Sequence, residues 1–260
     1  MPYFTKNEGI KNNEPLRKKQ QKSIDIVSEC MYNYIDTMSE YPVWIGGNTM
    51  PKGSLELTNA RKDEIVSACA KLYETMSFKE ITIKEIGNVT SFTRTSIYNY
   101  FETKEEIFLA LFQKEYELWV ESLNALINNN NELCKDEAIS LFARSLADRR
   151  TLLKLLSMNL YDMEENSRLE NLVFFKEAYG ASLDAVNRYL LKFVPYMSSE
   201  EIKSFIYSFF PFMFGIYPYT VVTEKQEKAM KKVGIDFKEY SIYEIIYNCV
   251  KKLLGGNGNE

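Results

Sequence analysis

The sequence predicts an all-α protein, with a small three-helix unit ahead of a larger helical bundle. Three observations carry that expectation. Glycine and proline number only 11 and 7 among 260 residues, so helix-breaking points are few. Serine or threonine followed three positions later by glutamate recurs ahead of apolar runs, a spacing at which side chain and backbone cap a helix start reciprocally. The apolar residues behind those caps repeat at helical intervals, and no alternating run is long enough to suggest a strand.

In chain order, residues 1–49 form an N-terminal extension. Ile24, Val27, Met31, Tyr34, Ile35 and Met38 fall on one side of a helix expected between Leu16 and Tyr41, and Arg17-Lys18-Lys19 would suit an arm that contacts phosphate. Gly46-Gly47 ahead of Asn48-Thr49-Met50 is also how a purine-rich ribosome-binding site before a start codon reads when translated, which makes Met50 a candidate natural start. The block 50–107 follows. A first helix from Thr58 to Met76 turns Ile65, Ala68, Leu72 and Tyr73 inward, and Ser77-Phe78-Lys79-Glu80 interrupts it. A second, short helix starts at Thr82, paired with Glu85, and buries Ile83 and Ile86. Thr90-Ser91-Phe92 turns, Thr93 caps a third short helix, and Ile97 and Phe101 hold that helix inward. Two short helices joined by a three-residue turn and braced by a third make a helix-turn-helix.

Residues 108–254 supply the bundle and 255–260 a flexible tail. Caps are expected at Thr103/Glu106, Ser167/Glu170, Ser198/Glu201 and Ser241/Glu244. Leu172, Phe175, Tyr179, Leu183, Val186, Leu190 and Phe193 keep helical spacing, as do Ile242, Ile245, Ile246, Cys249, Val250 and Leu253. From Ser204 to Thr223 no charge occurs, and that length could cross a bilayer. Pro211, Pro218 and Gly215 interrupt the run, and the cap at Ser198 starts it as a water-exposed helix would start. No membrane insertion is expected.

Bulk composition removes several chemistries. Histidine is absent, which excludes serine–histidine and cysteine–histidine nucleophiles and imidazole metal sites. No phosphate-binding glycine loop or metal-spaced cluster occurs. Asp162, Glu164 and Glu165 read as a solvated helix end, so no catalytic residue, cofactor or metal is expected. The four cysteines lie far apart, consistent with small buried side chains in a reducing cytoplasm, and charged residues interrupt any N-terminal signal sequence. Net charge is −4, so contact with an anionic polymer must be local.

One local feature meets that requirement. From Ile86 to Phe101 there is no acidic residue, although acids outnumber bases 36 to 32. On the third short helix Arg94, Thr95, Ser96, Tyr98, Asn99 and Tyr100 point away from Ile97 and Phe101. Arginine and asparagine can bond guanine and adenine edges, while hydroxyl-bearing side chains reach phosphates.

The run "ITIKEIGNVTSFTRTSIYNYFETKEEI", Ile81 to Ile107, resembles the DNA-binding domain of the TetR family of bacterial regulators without a gap, and "ARKDEIVSACAKLYE", Ala60 to Glu74, resembles that family's first helix. Ser77 and Ser91 stand where the family usually has glycine; in a left-handed conformation each would cost about 1 kcal/mol. The resemblance implies an N-terminal helix-turn-helix domain followed by a ligand-binding and dimerisation bundle. It implies DNA contact by Thr82, Thr93, Arg94, Thr95, Ser96, Tyr98, Asn99, Tyr100 and Lys104. Thr82 and Lys104 would act through helix N-termini. It further implies a homodimer on a palindromic double-stranded operator, a repressor released by a small-molecule effector. An apolar or aromatic effector would be lined by Trp119, Phe142, Met158, Tyr161, Tyr179, Phe209, Phe210, Met213, Phe214 and Tyr217. The competing reading is a helical small-molecule or lipid-binding protein, or an enzyme, that uses the aromatic cavity without DNA.

Overall fold

In a computed structural model, residues 52–158, 160–235 and 239–255 are described; they form eleven helices and no strand. The expected arm and helix within residues 1–49, like most of the tail, lie outside the described residues. Helix α1 spans Lys52–Thr75, starting six residues before the expected Thr58. It carries no base in its last turn, and a remote one serves instead: the Lys154 ammonium donates to the carbonyls of Tyr73 and Met76, where the helix dipole favours a cation.

Helix α2, Ile83–Asn88, is capped by Thr82, and α3, Arg94–Ile97, by Thr93. Ile65, Ile81, Ile86 and Ile97 are fully buried and Phe101 nearly so. Neither Ser77 nor Ser91 adopts the left-handed conformation that glycine would favour, so the anticipated strain does not arise. The Ser91 amide instead donates to the Glu64 carboxylate of α1 at 2.8 Å.

Helix α4, Lys104–Asn129, is the spine. Its first turns bury Ile107 and Phe108, and Phe108 meets Tyr73 and Phe78 edge-on at 5.1 and 4.8 Å. Its later turns send Phe112, Tyr116, Trp119 and Leu123 into the bundle. Around them stand α5 (Lys135–Ala147), α6 (Arg150–Leu156), α7 (Leu160–Glu165), α8 (Leu169–Phe193) and α9 (Ser199–Thr220). A solvated helix, α10 (Glu224–Lys232), and α11 (Ile242–Gly255), packed on α5 and α9, complete the order. Helix α10 buries nothing and is laced by Glu224–Lys228 and Glu227–Lys231 pairs. It ends in a Schellman turn, for which Gly234 takes φ 71° and the Ile235 amide reaches back to the Met230 carbonyl.

The Ser198/Glu201 and Ser241/Glu244 caps form as expected. Ser167/Glu170 does not: Ser167 donates to the Met163 carbonyl, and Arg168 occupies the cap position of α8. Thr103 caps α4 by accepting from the Glu106 amide, but the Glu106 carboxylate is drawn elsewhere. It is 1% exposed and takes Nε and Nη2 of Arg168 at 2.7 and 2.9 Å, with the Glu102 amide at 2.8 Å. Helix α9 runs unbroken through Pro211 and Pro218, both exposed, so solvent can serve the carbonyls whose partners the prolines remove. Among the described residues no single helix is long and apolar enough to cross a membrane; α9 and α10 pass that test only as a pair bent by 83°.

Two stability outcomes follow from this packing. Phe142 is 1% exposed and touches Trp119, Tyr189, Phe205 and Phe209. Truncation by Phe142→Ala is expected to cost about 3–5 kcal/mol, read from urea unfolding. Burial alone would raise the Glu106 carboxyl, but Arg168 and the two backbone amides outweigh it and hold the group below its ordinary value. The pair's contribution is therefore complete at neutral pH and disappears as pH falls through the depressed value. Glu106→Gln is expected to destabilise by about 2 kcal/mol at pH 7, with the gap to wild type closing as pH falls below the ordinary carboxylate range and through the depressed value.

Candidate nucleic-acid interface and effector core

The outer face of α3 is built by subtraction. Ile97 and the following Phe101 take the inward positions, leaving Arg94, Thr95, Tyr98 and Asn99 exposed. Arg94 Nη2 donates to the Tyr98 hydroxyl at 3.3 Å, with the guanidinium 5.9 Å from that ring. Both groups thus stand together on the surface. Thr93 spends its hydroxyl oxygen on the Ser96 amide at 3.2 Å, and Ser96 is half-buried with its own hydroxyl 2.9 Å from that of Thr93.

Tyr100 departs from the outward placement expected of it. It is half-buried, its ring lies edge-on to Phe92, and its hydroxyl accepts from Arg61 Nη1 at 2.9 Å. Arg61 and Glu64, one turn apart on α1, escaped the sequence reading. One orients Tyr100 and the other bonds the turn at Ser91. That bond holds the Glu64 carboxyl below its ordinary value. Their only signal was a shared helical face.

Thr82 is exposed and accepts from the Glu85 amide at 3.4 Å, with the Glu85 carboxylate against its hydroxyl. Lys104 is committed inward: its ammonium donates to the carbonyls of Phe78 at 2.9 Å and Ile81 at 3.4 Å and sits 4.0 Å from the Phe78 ring centroid. Only the backbone at that helix start is left to meet a phosphate.

In the bundle, six of the ten effector candidates come together. Trp119 meets Phe142 and Phe210 at 6.2 and 6.0 Å, Phe210 meets Tyr179 at 5.7 Å, and Phe142 meets Phe209 at 5.2 Å. Met213 is buried beside them on α9. Two polar atoms in this core are satisfied locally: Trp119 Nε1 donates to Ser145 and the Tyr189 hydroxyl to the Ala138 carbonyl. Burial pushes the Tyr179 phenol up to about 12 and that of Tyr116 well above its usual value. These rings fill the space that a ligand would have to enter.

Met158 and Tyr217 form a separate group at the seam with α1. The Tyr73 hydroxyl donates to Met158 Sδ at 2.8 Å, and the Arg150 guanidinium lies 5.9 Å from the Tyr217 ring. Tyr161 and Phe214 do not join either group, being 63% and 39% exposed. An open cleft of about 560 Å³ lies instead between α5 and α11, bordered by Asn130, Asp136, Glu137, Ser140, Tyr243 and Tyr247. No expected effector residue lines it.

Comparison with known proteins bears on both halves. Residues 113–240 match the family model of the tetracyclin repressor-like C-terminal domain. The fold is similar to that of a protein assigned as a TetR-family regulator from Mesorhizobium loti MAFF303099, at 12% identity, covering 76% of this chain and 97% of that one with a TM-score of 0.52. It is also similar to that of a TetR/AcrR-family regulator from Thermobifida fusca YX-ER1, at 16% identity, covering 77% and 100% with a TM-score of 0.51. No curated protein matches the sequence. A matched C-terminal domain and a helix-turn-helix of the same family's pattern ahead of it lead to one assignment: the chain belongs to the TetR family.

Proposed function

We propose that the protein is a ligand-responsive transcriptional regulator that binds a palindromic operator as a homodimer and is released from it by a small apolar or aromatic effector. One observation supports this above the rest. The exposed face of α3 presents Arg94, Thr95, Tyr98 and Asn99 within a stretch free of carboxylates, in a chain whose net charge is −4. That face suits a major groove: Arg94 and Asn99 toward base edges, and Thr95 and Tyr98 toward phosphates or thymine methyls. Thr82, Thr93 and the start of α4 would meet phosphates on either side, while Ser96 and Tyr100 support the helix from below. The reading needs no catalytic group and places the protein with the DNA in the cytoplasm.

The dimer seam is expected on α9 and α11. Ser204, Ser208, Pro211 and Phe214 form an exposed, uncharged stripe along α9. On α11, Ile242, Ile245, Cys249 and Leu253 are half-buried, apart from the core residues Ile246, Val250 and Leu254. Joining such faces across a two-fold axis would hold two copies of α3 at a fixed separation.

For the effector, the ring layer formed by Trp119, Phe142, Tyr179, Phe209, Phe210 and Met213 is the favoured site, with Met158 and Tyr217 at its edge toward α1. A flat apolar molecule inserted there must part rings that now touch. A greater affinity of that molecule for the parted arrangement would offset the lost ring contacts and drive the recognition helices apart.

Selection of binding duplexes from a random pool tests the reading. Recovery of a two-fold symmetric sequence is expected, and a folded dimer that retains no duplex at low salt would end it. On the recovered duplex, Arg94→Ala and Asn99→Ala are each expected to weaken binding by about ten-fold or more and to relax preference at one base position. Phe214→Glu should shift sedimentation from dimer toward monomer and weaken operator binding together, with the helical content unchanged.

A further inference from the structure

Two cationic side chains from beyond α4 reach backbone carbonyls of the three-helix unit, and the two grips differ. Lys154 takes carbonyls at the end of α1, which is the frame of the unit. Arg168 reaches the segment that follows α3. Its Nη2 donates to the Tyr100 carbonyl at 3.3 Å as well as to Glu106, its Nε bonds Glu106, and its Nη1 lies 3.5 Å from the Glu102 carboxylate. Beside it the Thr103 hydroxyl donates to the Asn166 carbonyl at 3.0 Å. The link from α3 to α4 is thus bonded at several atoms to the link from α7 to α8.

Arg168 also opens α8, and two turns further along Phe175 enters the ring core, 5.0 Å from Phe112, with Tyr179 5.6 Å from Tyr116. A shift of α8 that parts those rings carries Arg168 with it. Building on the regulator reading, we infer that Arg168 is a positioning residue: its guanidinium fork fixes the angle of the recognition helix relative to the effector core, and so relays movement of α8 to the DNA-reading face. A planar fork can hold Glu106 and the Tyr100 carbonyl together in one geometry, whereas a lysine ammonium keeps the charge without that constraint.

Arg168→Lys in the full chain separates positioning from bulk stability, and Arg168→Gln removes the charge as well. Two readouts decide. Amide exchange at Ile97, Asn99, Tyr100 and Phe101, all hydrogen-bonded around α3, is expected to quicken about ten-fold or more in both variants, the scale of coupling between sites. Exchange along α8 and the thermal midpoint should stay near wild type in Arg168→Lys. Discrimination between the selected duplex and a scrambled one should fall by a similar factor, with binding to the scrambled duplex retained. Wild-type exchange around α3 and wild-type discrimination in Arg168→Lys would overturn the inference. So would a uniform rise in exchange over the whole chain, which marks a merely structural role. If Arg168→Gln does not fold, Arg168→Lys decides alone. Failure of the wild type to select any duplex sinks the regulator reading instead, and the exchange comparison then still tells whether Arg168 positions the helix.

Discussion

A helix of four residues has no stability of its own, because the first hydrogen-bonded turn fixes several torsions for a single bond. Helix α3 therefore exists only because its surroundings hold it. Ile97 and Phe101 are pinned in a core shared with Ile65, Ile81 and Ile86. Glu64 bonds the turn ahead of it, and Arg61 and Arg168 bond Tyr100 behind it. Each of these attachments lies on its inner side or at its ends. The outer residues are thereby released from any structural duty, which is why that surface can carry hydroxyls, an amide and a guanidinium at no cost to the fold.

The larger half is organised by α4, which belongs to both halves. Its early turns face Tyr73 and Phe78, and its later turns face α8. A rigid rod of this kind transmits displacement with little loss, but it does not specify direction. Direction comes from the groups that lock its N-terminal turn, namely Thr103, Glu106 and their partners on the approach to α8. The ring core at the other end is suited to small movements, since edge-to-face contacts at 5–6 Å depend strongly on angle.

Features written in neighbouring residues were legible from the sequence. Thr82 and Ser198 cap where their spacing to Glu85 and Glu201 says they should, and Thr93 caps α3 as expected. The stripe of α8 faces inward as its period requires, whereas of the α11 stripe only Ile246 and Val250 are buried and the rest are half-buried. What escaped was decided by contacts far apart in the chain. Glu106 looks like half of a capping box with Thr103, yet Arg168, 62 positions away, takes its carboxylate. The Lys104 side chain is held by carbonyls at Phe78 and Ile81, a contact that spacing could not show, and the backbone N–H groups expected to meet phosphate at that helix start are left as they were. Ser167 has the right partner spacing but bonds backward to Met163. Cys134 and Thr223 cap α5 and α10 although neither fits the Ser/Thr-to-Glu rule: one starts with cysteine and the other ends on Gln226. The prolines of α9 suggested interruption, but a helix face open to solvent tolerates the lost bonds.

Charge explains why geometry, rather than attraction, would have to carry specificity on the proposed reading. With a net charge of −4, the molecule lacks the general positive field that makes many DNA-binding proteins bind any duplex. Four exposed side chains on one short helix and the turn that follows it offer too few contacts to hold a half-site alone. Two copies linked through a dimer act at high effective concentration, so the second half-site is gained at little entropic cost, but only if the separation and tilt of both helices match the groove. A small rotation of each unit then removes most of the affinity without breaking a single contact chemistry. The side chains that hold tilt, rather than those that touch bases, would be where such a protein is switched.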